Sequence, residues 1–274
     1  MKIDAHVHFW NYDAVRDSWI TDDMKILQQD FLPRHLFVQL SENELDGCVA
    51  VQADQSEQET LFLVELSKKN IFIKGVVGWI DLQDADIEKR LDYFSQFPII
   101  KGWRHIVQSE PDGFLQTKNF QRGVQMLSKY GYTYDLLIFQ HQLKQAYNFV
   151  SKFPQQKIVI DHCAKPNIKN QLIKEWKNYL KALATQPNVY CKLSGLITET
   201  NWSKWAEVDF YPYLDIVFDL FGTDRLLFGS DWPVMQLSGN YRQWKNLLEK
   251  YVQKYSSYDK EKIFGLNAVQ FYNL

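Results

Sequence analysis

The sequence predicts an α/β fold, a single (β/α)8 barrel spanning residues 1–274. Three observations predict it. Short apolar segments rich in Val and Ile recur along the chain, as strands buried on both faces do. Amphipathic helical patterns lie between them, and that alternation implies a parallel sheet with right-handed crossovers. The segments number eight, which closes a barrel. Length agrees, because one α/β barrel of about 250 residues counts as a single domain.

Taken in order, the expected strands are 2–9, 45–52, 72–80, 99–106, 133–138, 157–162, 189–194 and 225–230. Helical patterns follow at 58–69, with Leu61, Phe62, Val64 and Leu66 on a mixed face, at 172–185 and at 211–221. The segment 11–33 carries Trp19 and Pro33 and shows no clear period. A connection this long is usually functional, so it is expected to be an active-site loop.

Composition narrows the class. Hydrophobic residues make up 46% and charged residues 23%, the balance of an ordinary globular protein. A net charge of −2 speaks against nucleic acid as a partner. No run approaches the ~18 apolar residues of a membrane span, and the opening Met-Lys-Ile-Asp-Ala-His lacks a signal-peptide core. Cys48, Cys163 and Cys191 are odd in number and lie on or beside strands, which argues against a disulfide framework. The expectation is a cytoplasmic, reduced protein with a small-molecule substrate; a homo-oligomer stays open. Nine Trp point to a well-lined pocket or a buried interface.

The chemistry-bearing residues cluster at strand ends. His6 and His8 close the first strand, Arg104 and His105 the fourth, and His162 the sixth; Asp135 lies in the fifth and Asp231 follows the eighth. In a barrel these ends meet at one face. His6-Val7-His8 has strand spacing, so both imidazoles face one way, and Asp4 shares that parity. Two imidazoles on one face suit a divalent cation such as Zn²⁺. Asp231, just beyond an apolar strand, suits a general base acting on water. Without its neighbours it would read as a turn or capping residue before Pro233. Asp161 alternates away from His162 and is expected to brace a neighbouring element. Lys165, before Pro166, could equally lie on the surface. Arg104 and His105 are adjacent, so one reaches substrate and the other packs, unless the strand end bulges. Asp135 reads as a polar substrate contact or as half of a barrel-interior ion pair. His35 and His141 fall at loops or helix starts and are not expected to be catalytic. There is no glycine-rich phosphate loop, no Gly-x-Ser-x-Gly elbow and no zinc-finger Cys pair.

Longer motifs carry a family resemblance nearly end to end. They include Asp4-Ala-His-Val-His-Phe-Trp10, Gly75-Val-Val-Gly-Trp-Ile-Asp-Leu82 and Lys101-Gly-Trp-Arg-His105 with Glu110-Pro-Asp112. Ile160-Asp-His-Cys-Ala-Lys-Pro166, Asn188-Val-Tyr-Cys-Lys-Leu-Ser-Gly195 and Gly229-Ser-Asp-Trp-Pro-Val234 follow. Together they resemble the amidohydrolase superfamily, and within it the sugar-lactonase branch of L-fuconolactonase and L-rhamnonolactonase-like enzymes. The resemblance implies a hydrolase opening a small aldono-1,4- or 1,5-lactone to its sugar acid. It places His6, His8, His162 and Asp231 at the metal or catalytic positions. Dinuclear members of the superfamily carry a bridging Lys or Glu on the fourth strand and a His on the fifth. Here those strands offer Arg104-His105 and Asp135, so a two-metal site is not expected. One divalent ion, Zn²⁺, is the most implied, and it need not be required.

On this reading Asp231 is the base, and His6, His8 and His162 polarise the carbonyl. Arg104 or His105 binds the carbonyl or ring oxygen. Trp10, Gln52, Trp79, Glu110, Asp135 and Trp232 are the expected substrate contacts. Two alternatives remain: a decarboxylase or other hydrolase on the same barrel, marked by CO₂ release and a firm metal requirement, and a sugar-binding barrel without turnover.

Overall fold

Eight strands form one parallel sheet whose spatial order is the chain order. The computed structural model describes residues 1–274. The strands are β1 (Ile3–Val7), β2 (Gly47–Val51), β3 (Ile73–Gly78), β4 (Ile100–His105), β5 (Thr133–Leu136), β6 (Ile158–Ile160), β7 (Val189–Leu193) and β8 (Leu226–Phe228). The ring closes through a parallel bridge between Val7 and Trp232, where His8 N donates to Trp232 O at 2.7 Å. All eight expected strands are present. Each ends one or two residues sooner than its apolar run, because the chain turns there into the loops that carry polar side chains.

One helix follows each strand: α1 (Pro33–Glu42), α2 (Glu57–Lys69), α3 (Ile87–Ser95), α4 (Lys118–Leu127), α5 (Leu143–Val150), α6 (Lys174–Ala184), α7 (Tyr211–Phe221) and α8 (Tyr241–Tyr251). Two short helices, α9 (Ser257–Glu261) and α10 (Asn267–Tyr272), complete the chain. Helix starts follow local chemistry. Ser56 Oγ accepts from Glu59 N at 3.1 Å, and α2 begins with Glu57 and Glu59 and ends with Lys68 and Lys69, matching the helix dipole. Asn240 and Gln243 form a reciprocal capping box on α8. No helix is long and apolar enough to cross a membrane.

The barrel interior has two layers. The lower one is apolar: Ile3, Ala5, Val49, Val51, Val77, Val159 and Leu227 pack on Ala268, Phe271 and Tyr272 of α10, which plugs that end. A larger apolar cluster fills the space between sheet and helices. The pairing of β1 with β2 is irregular between Asp4 and Val7: Asp4 sits opposite Cys48, yet Val7 sits opposite Ala50. Three steps on β1 therefore match two on β2, as at a bulge. This corrects the shared parity of Asp4 with the histidines. Asp4 lies on the outer side, where Tyr241 Oη donates to its Oδ2 at 2.6 Å and Ser230 N to its Oδ1 at 2.9 Å. The segment 11–33 folds back over the barrel mouth through reciprocal backbone bonds between Trp10 and Phe31, with a short 3-10 turn at Asp22–Leu27. The three cysteines are buried and free.

Candidate active site

The C-terminal strand ends surround a cavity of about 330 Å³. His8, Trp10, Arg104, His162, Lys165 and Asp231 line it, joined by Arg16 and Trp19 from segment 11–33 and by Gln108 and Ser109 after β4. Residues separated by more than two hundred positions thus share one pocket. His6 lies just below, with its Nε2 at 3.1 Å from His8 Nε2 and 3.9 Å from Asp231 Oδ1. Asp231 Oδ1 is 3.4 Å from His8 Nε2 and 3.9 Å from His162 Nε2.

An unusual backbone aims several of these groups. His162, Cys163, Ala164 and Lys165 have φ of 53°, 52°, 58° and 47°. Four successive left-handed non-glycine residues cost about 1–2 kcal/mol each. Buried contacts hold the turn: Trp176 Nε1 donates to Cys163 O at 2.8 Å, and Cys163 Sγ donates to Lys192 O at 3.3 Å. The turn abolishes strand alternation, so Asp161 and His162 both face inward. This corrects the expectation that Asp161 braces an outer element. His162 Nδ1 pairs with Ser194 Oγ at 2.9 Å, and its ring lies over Gly195. Asp231 is also left-handed, at φ 61°.

Below the pocket floor lies a network the sequence reading missed. Lys192 is fully buried, with its Nζ 2.5 Å from Asp135 Oδ2, 3.0 Å from Asp161 Oδ1 and 3.1 Å from His6 Nδ1. Arg104 Nη1 reaches Asp161 Oδ2 at 3.2 Å, and its Nη2 donates to Gln52 O. Tyr272 Oη donates to Asp135 Oδ2 at 2.7 Å. A lysine inside the apolar run Val-Tyr-Cys-Lys-Leu was the signal that could have revealed it.

Electrostatics sets the protonation states. Burial, with the nearby Lys192 charge, pushes His6 well below its ordinary value despite Asp161. Burial likewise lowers His162 to about 4 against the pull of Asp231. Burial works against ionisation of Asp161, yet Lys192, His6 and Arg104 hold its carboxyl well below the usual range. Burial also opposes ionisation of Asp231, but His162 and His8 keep it lowered. Asp135 is pushed up to about 6 by burial, opposed by Lys192. The interior therefore sets three carboxylates against two basic side chains, Lys192 and Arg104, and Asp231 is the carboxylate that touches neither.

The donors fit one small cation. His8 Nδ1 faces the Val51 carbonyl oxygen at 2.9 Å, an acceptor only, so Nδ1 carries a proton, and in the neutral imidazole Nε2 is then bare. That bare nitrogen faces Asp231 and His6 Nε2. Tetrahedral zinc with bonds of about 2.0–2.1 Å places its donors about 3.3 Å apart, comparable with the 3.1, 3.4 and 3.9 Å found here. His6, His8 and Asp231 form one set that could hold a divalent ion; His6, Asp161 and His162 form a second, whose Asp161 is already paired with Arg104 and Lys192.

Other expected contacts lie elsewhere. Arg104 and His105 face opposite sides, as strand alternation requires. His105 stacks on Phe114 outside the barrel wall, 2.7 Å from Glu110 Oε1, and accepts from Trp79 Nε1 at 3.3 Å. None of His105, Glu110 and Trp79 lines the pocket; each is spent on this outer cluster. Asp135 is sealed beneath the floor in its ion pair. Gln52 is buried and donates to Arg104 O at 3.3 Å, while Ala53, Asp54 and Gln55 reach the pocket instead. Trp232 packs between Phe9 and Phe31. His35 Nδ1 accepts from Leu32 N at the start of α1, and His141 is exposed.

Comparisons with known proteins agree with this geometry. A sequence model described as amidohydrolase matches residues 3–274. The L-fucono-1,5-lactonase of Burkholderia multivorans is 34% identical over 100% of this chain and 96% of its own length. The L-rhamnono-gamma-lactonase of Scheffersomyces stipitis is 29% identical over 66% of this chain and 61% of its own. A crystal structure of an amidohydrolase from Burkholderia multivorans with bound zinc superposes with a TM-score of 0.98 at 35% identity, covering 100% of this chain and 99% of that one. The chain belongs to the amidohydrolase family.

Proposed function

We propose that this chain is a sugar lactonase, a one-domain hydrolase that opens a small aldonolactone to the sugar acid. The observation that carries the reading is Asp231: an ionised carboxylate that touches neither Lys192 nor Arg104, at the floor of a pocket ringed by imidazoles and walled by Arg104 and Lys165. The relatives' names point to L-fucono-1,5-lactone as the first substrate to try.

Asp231 takes a proton from water as the water oxygen bonds to the lactone carbonyl carbon. The developing charge on the carbonyl oxygen faces the cationic side of the pocket, where Arg104 and Lys165 stand. The carbon–ring-oxygen bond then breaks, and Asp231 returns its proton to the ring oxygen. The new carboxylic acid ionises to solvent. Trp10 and Trp19 wall the mouth and offer faces to a sugar ring. A divalent ion held by His6, His8 and Asp231 would supply carbonyl polarisation and a more acidic water.

The test is Asp231→Asn assayed by acid release from a panel of 1,4- and 1,5-aldonolactones. Removing a general base costs about 10²–10⁴-fold, so turnover should fall by that factor. Near wild-type turnover in the variant defeats the base assignment. An inactive wild type across the panel, or CO₂ release from carboxylated rings, defeats the lactonase reading.

A further inference from the structure

A second cavity of about 450 Å³ adjoins the pocket on the far side of Lys165, which lines both. Its other walls include Phe139, His141, Lys169, Glu199 and Trp202. Lys165 has no carboxylate within ion-pairing distance; its Nζ sits 5.3 Å over the Phe139 ring. Glu199, half-buried opposite, has neither a hydrogen bond nor an ion pair for its carboxyl, which burial pushes up despite Lys165. Lys169 and His141 are exposed, and their side chains make no hydrogen bonds.

We propose that this groove is a second ligand site, a subsite for an open-chain polyhydroxy carboxylate. The groups left free match that chemistry. Two ammonium groups and an imidazole face a carboxylate, Glu199 can accept from hydroxyls, and Trp202 offers a flat apolar face to a carbon chain, while the Phe139 ring carries Lys165 and His141 against it. Position supplies the second argument. Ring opening creates a carboxylate beside the negative Asp231, and repulsion there favours its departure. Lys165 is the cation common to the pocket and the groove, so the acid is handed outward along one side chain. The assignment rests on the lactonase reading for the ligand's identity.

Equilibrium dialysis with labelled D-gluconate and L-fuconate tests it in wild type and Lys169→Glu. An aldonate that binds the wild type should bind Lys169→Glu about fivefold or more weakly, the size of losing one exposed charge contact. No aldonate bound by the wild type, or binding unchanged in Lys169→Glu, overturns the proposal. So does acetate binding as tightly as the aldonates, which would make the groove an unspecific anion patch. Failure of the lactonase reading shows separately, as no acid released from any lactone while aldonate binding is still measured.

Discussion

Gly195→Ala isolates the geometry on which His162 depends. Gly195 has φ 63°, and a Cβ added there would stand 2.5 Å from His162 Nδ1 and 2.6 Å from its Cγ, where ordinary contact begins at 3.4 Å. The imidazole must retreat by about 1 Å, and displacements of that size near reacting atoms cost on the order of 10²-fold in rate. It cannot retreat freely, since Nδ1 is held by Ser194 Oγ and its own backbone is left-handed. The left-handed alanine costs about 1–2 kcal/mol and the overpacking about 1–3 kcal/mol. Their sum, about 2–5 kcal/mol, lowers the melting temperature of a chain this long by roughly 3–9 °C. Gly131→Ala is the control: φ is 72° there, and an added Cβ meets nothing within 4 Å. It should bear only the backbone cost and keep full activity. Circular-dichroism melts and initial rates, taken where both variants are folded, give the comparison. Wild-type kcat/KM in Gly195→Ala, or an equal loss in Gly131→Ala, refutes the reasoning.

Three further outcomes follow from named contacts. Burial raises the Glu59 carboxyl from 4.5 to about 7, partly offset by the Ala53 N–H it accepts. The unfolded chain sheds this proton near pH 4.5 while the fold keeps it to about 7, so stability falls as pH rises through that window, by up to roughly 3 kcal/mol. Glu59→Gln should therefore melt higher than wild type at pH 8 and equally at pH 4; equal offsets at both would contradict it. Tyr272→Phe deletes the hydroxyl donor to Asp135, costs about 1–3 kcal/mol and loosens Lys192 against His6. Calorimetry should show the loss, and kcat should drop several-fold with KM held; a shift in KM alone would break the link to His6. Zinc at a hundred times its dissociation constant should raise stability by about 2.7 kcal/mol. His8→Ala should abolish that gain in a melting scan, and an undiminished gain would remove His8 from the ligand set.

Much of the barrel was legible because its signals are local. An apolar run is a strand wherever it docks, and the pattern at 211–221 coincides with α7, Tyr211–Phe221. The convergence of His8, His162 and Asp231 on one cavity followed from strand order alone. What escaped depends on distant partners or on backbone that breaks alternation. Asp161 keeps the inward parity of Val159, and it is His162 that the left-handed turn after β6 brings to the same side, a conformation its residue types do not announce. Lys192 hides in an apolar strand, and its role emerges only with Asp135 and His6 beside it. His105, at a strand end, and Glu110, in a motif of the family resemblance, were expected at the site, yet they serve one another outside the wall.

The irregularity in β1 works as a one-residue change of gear. Ala5 and His6 both turn inward against the same stretch of β2, one completing the apolar plug and the other opening the polar floor. Deleting a residue from an ordinary strand inverts every side chain beyond the cut. Deleting Ala5 would instead restore plain alternation, with Ile3, His6 and His8 inward and Asp4 and Val7 outward. The half of the strand that seals the barrel and the half that does chemistry are thus mechanically uncoupled. Survival of zinc-dependent melting in the Ala5 deletion would register it; its loss would show that the two halves turn as one.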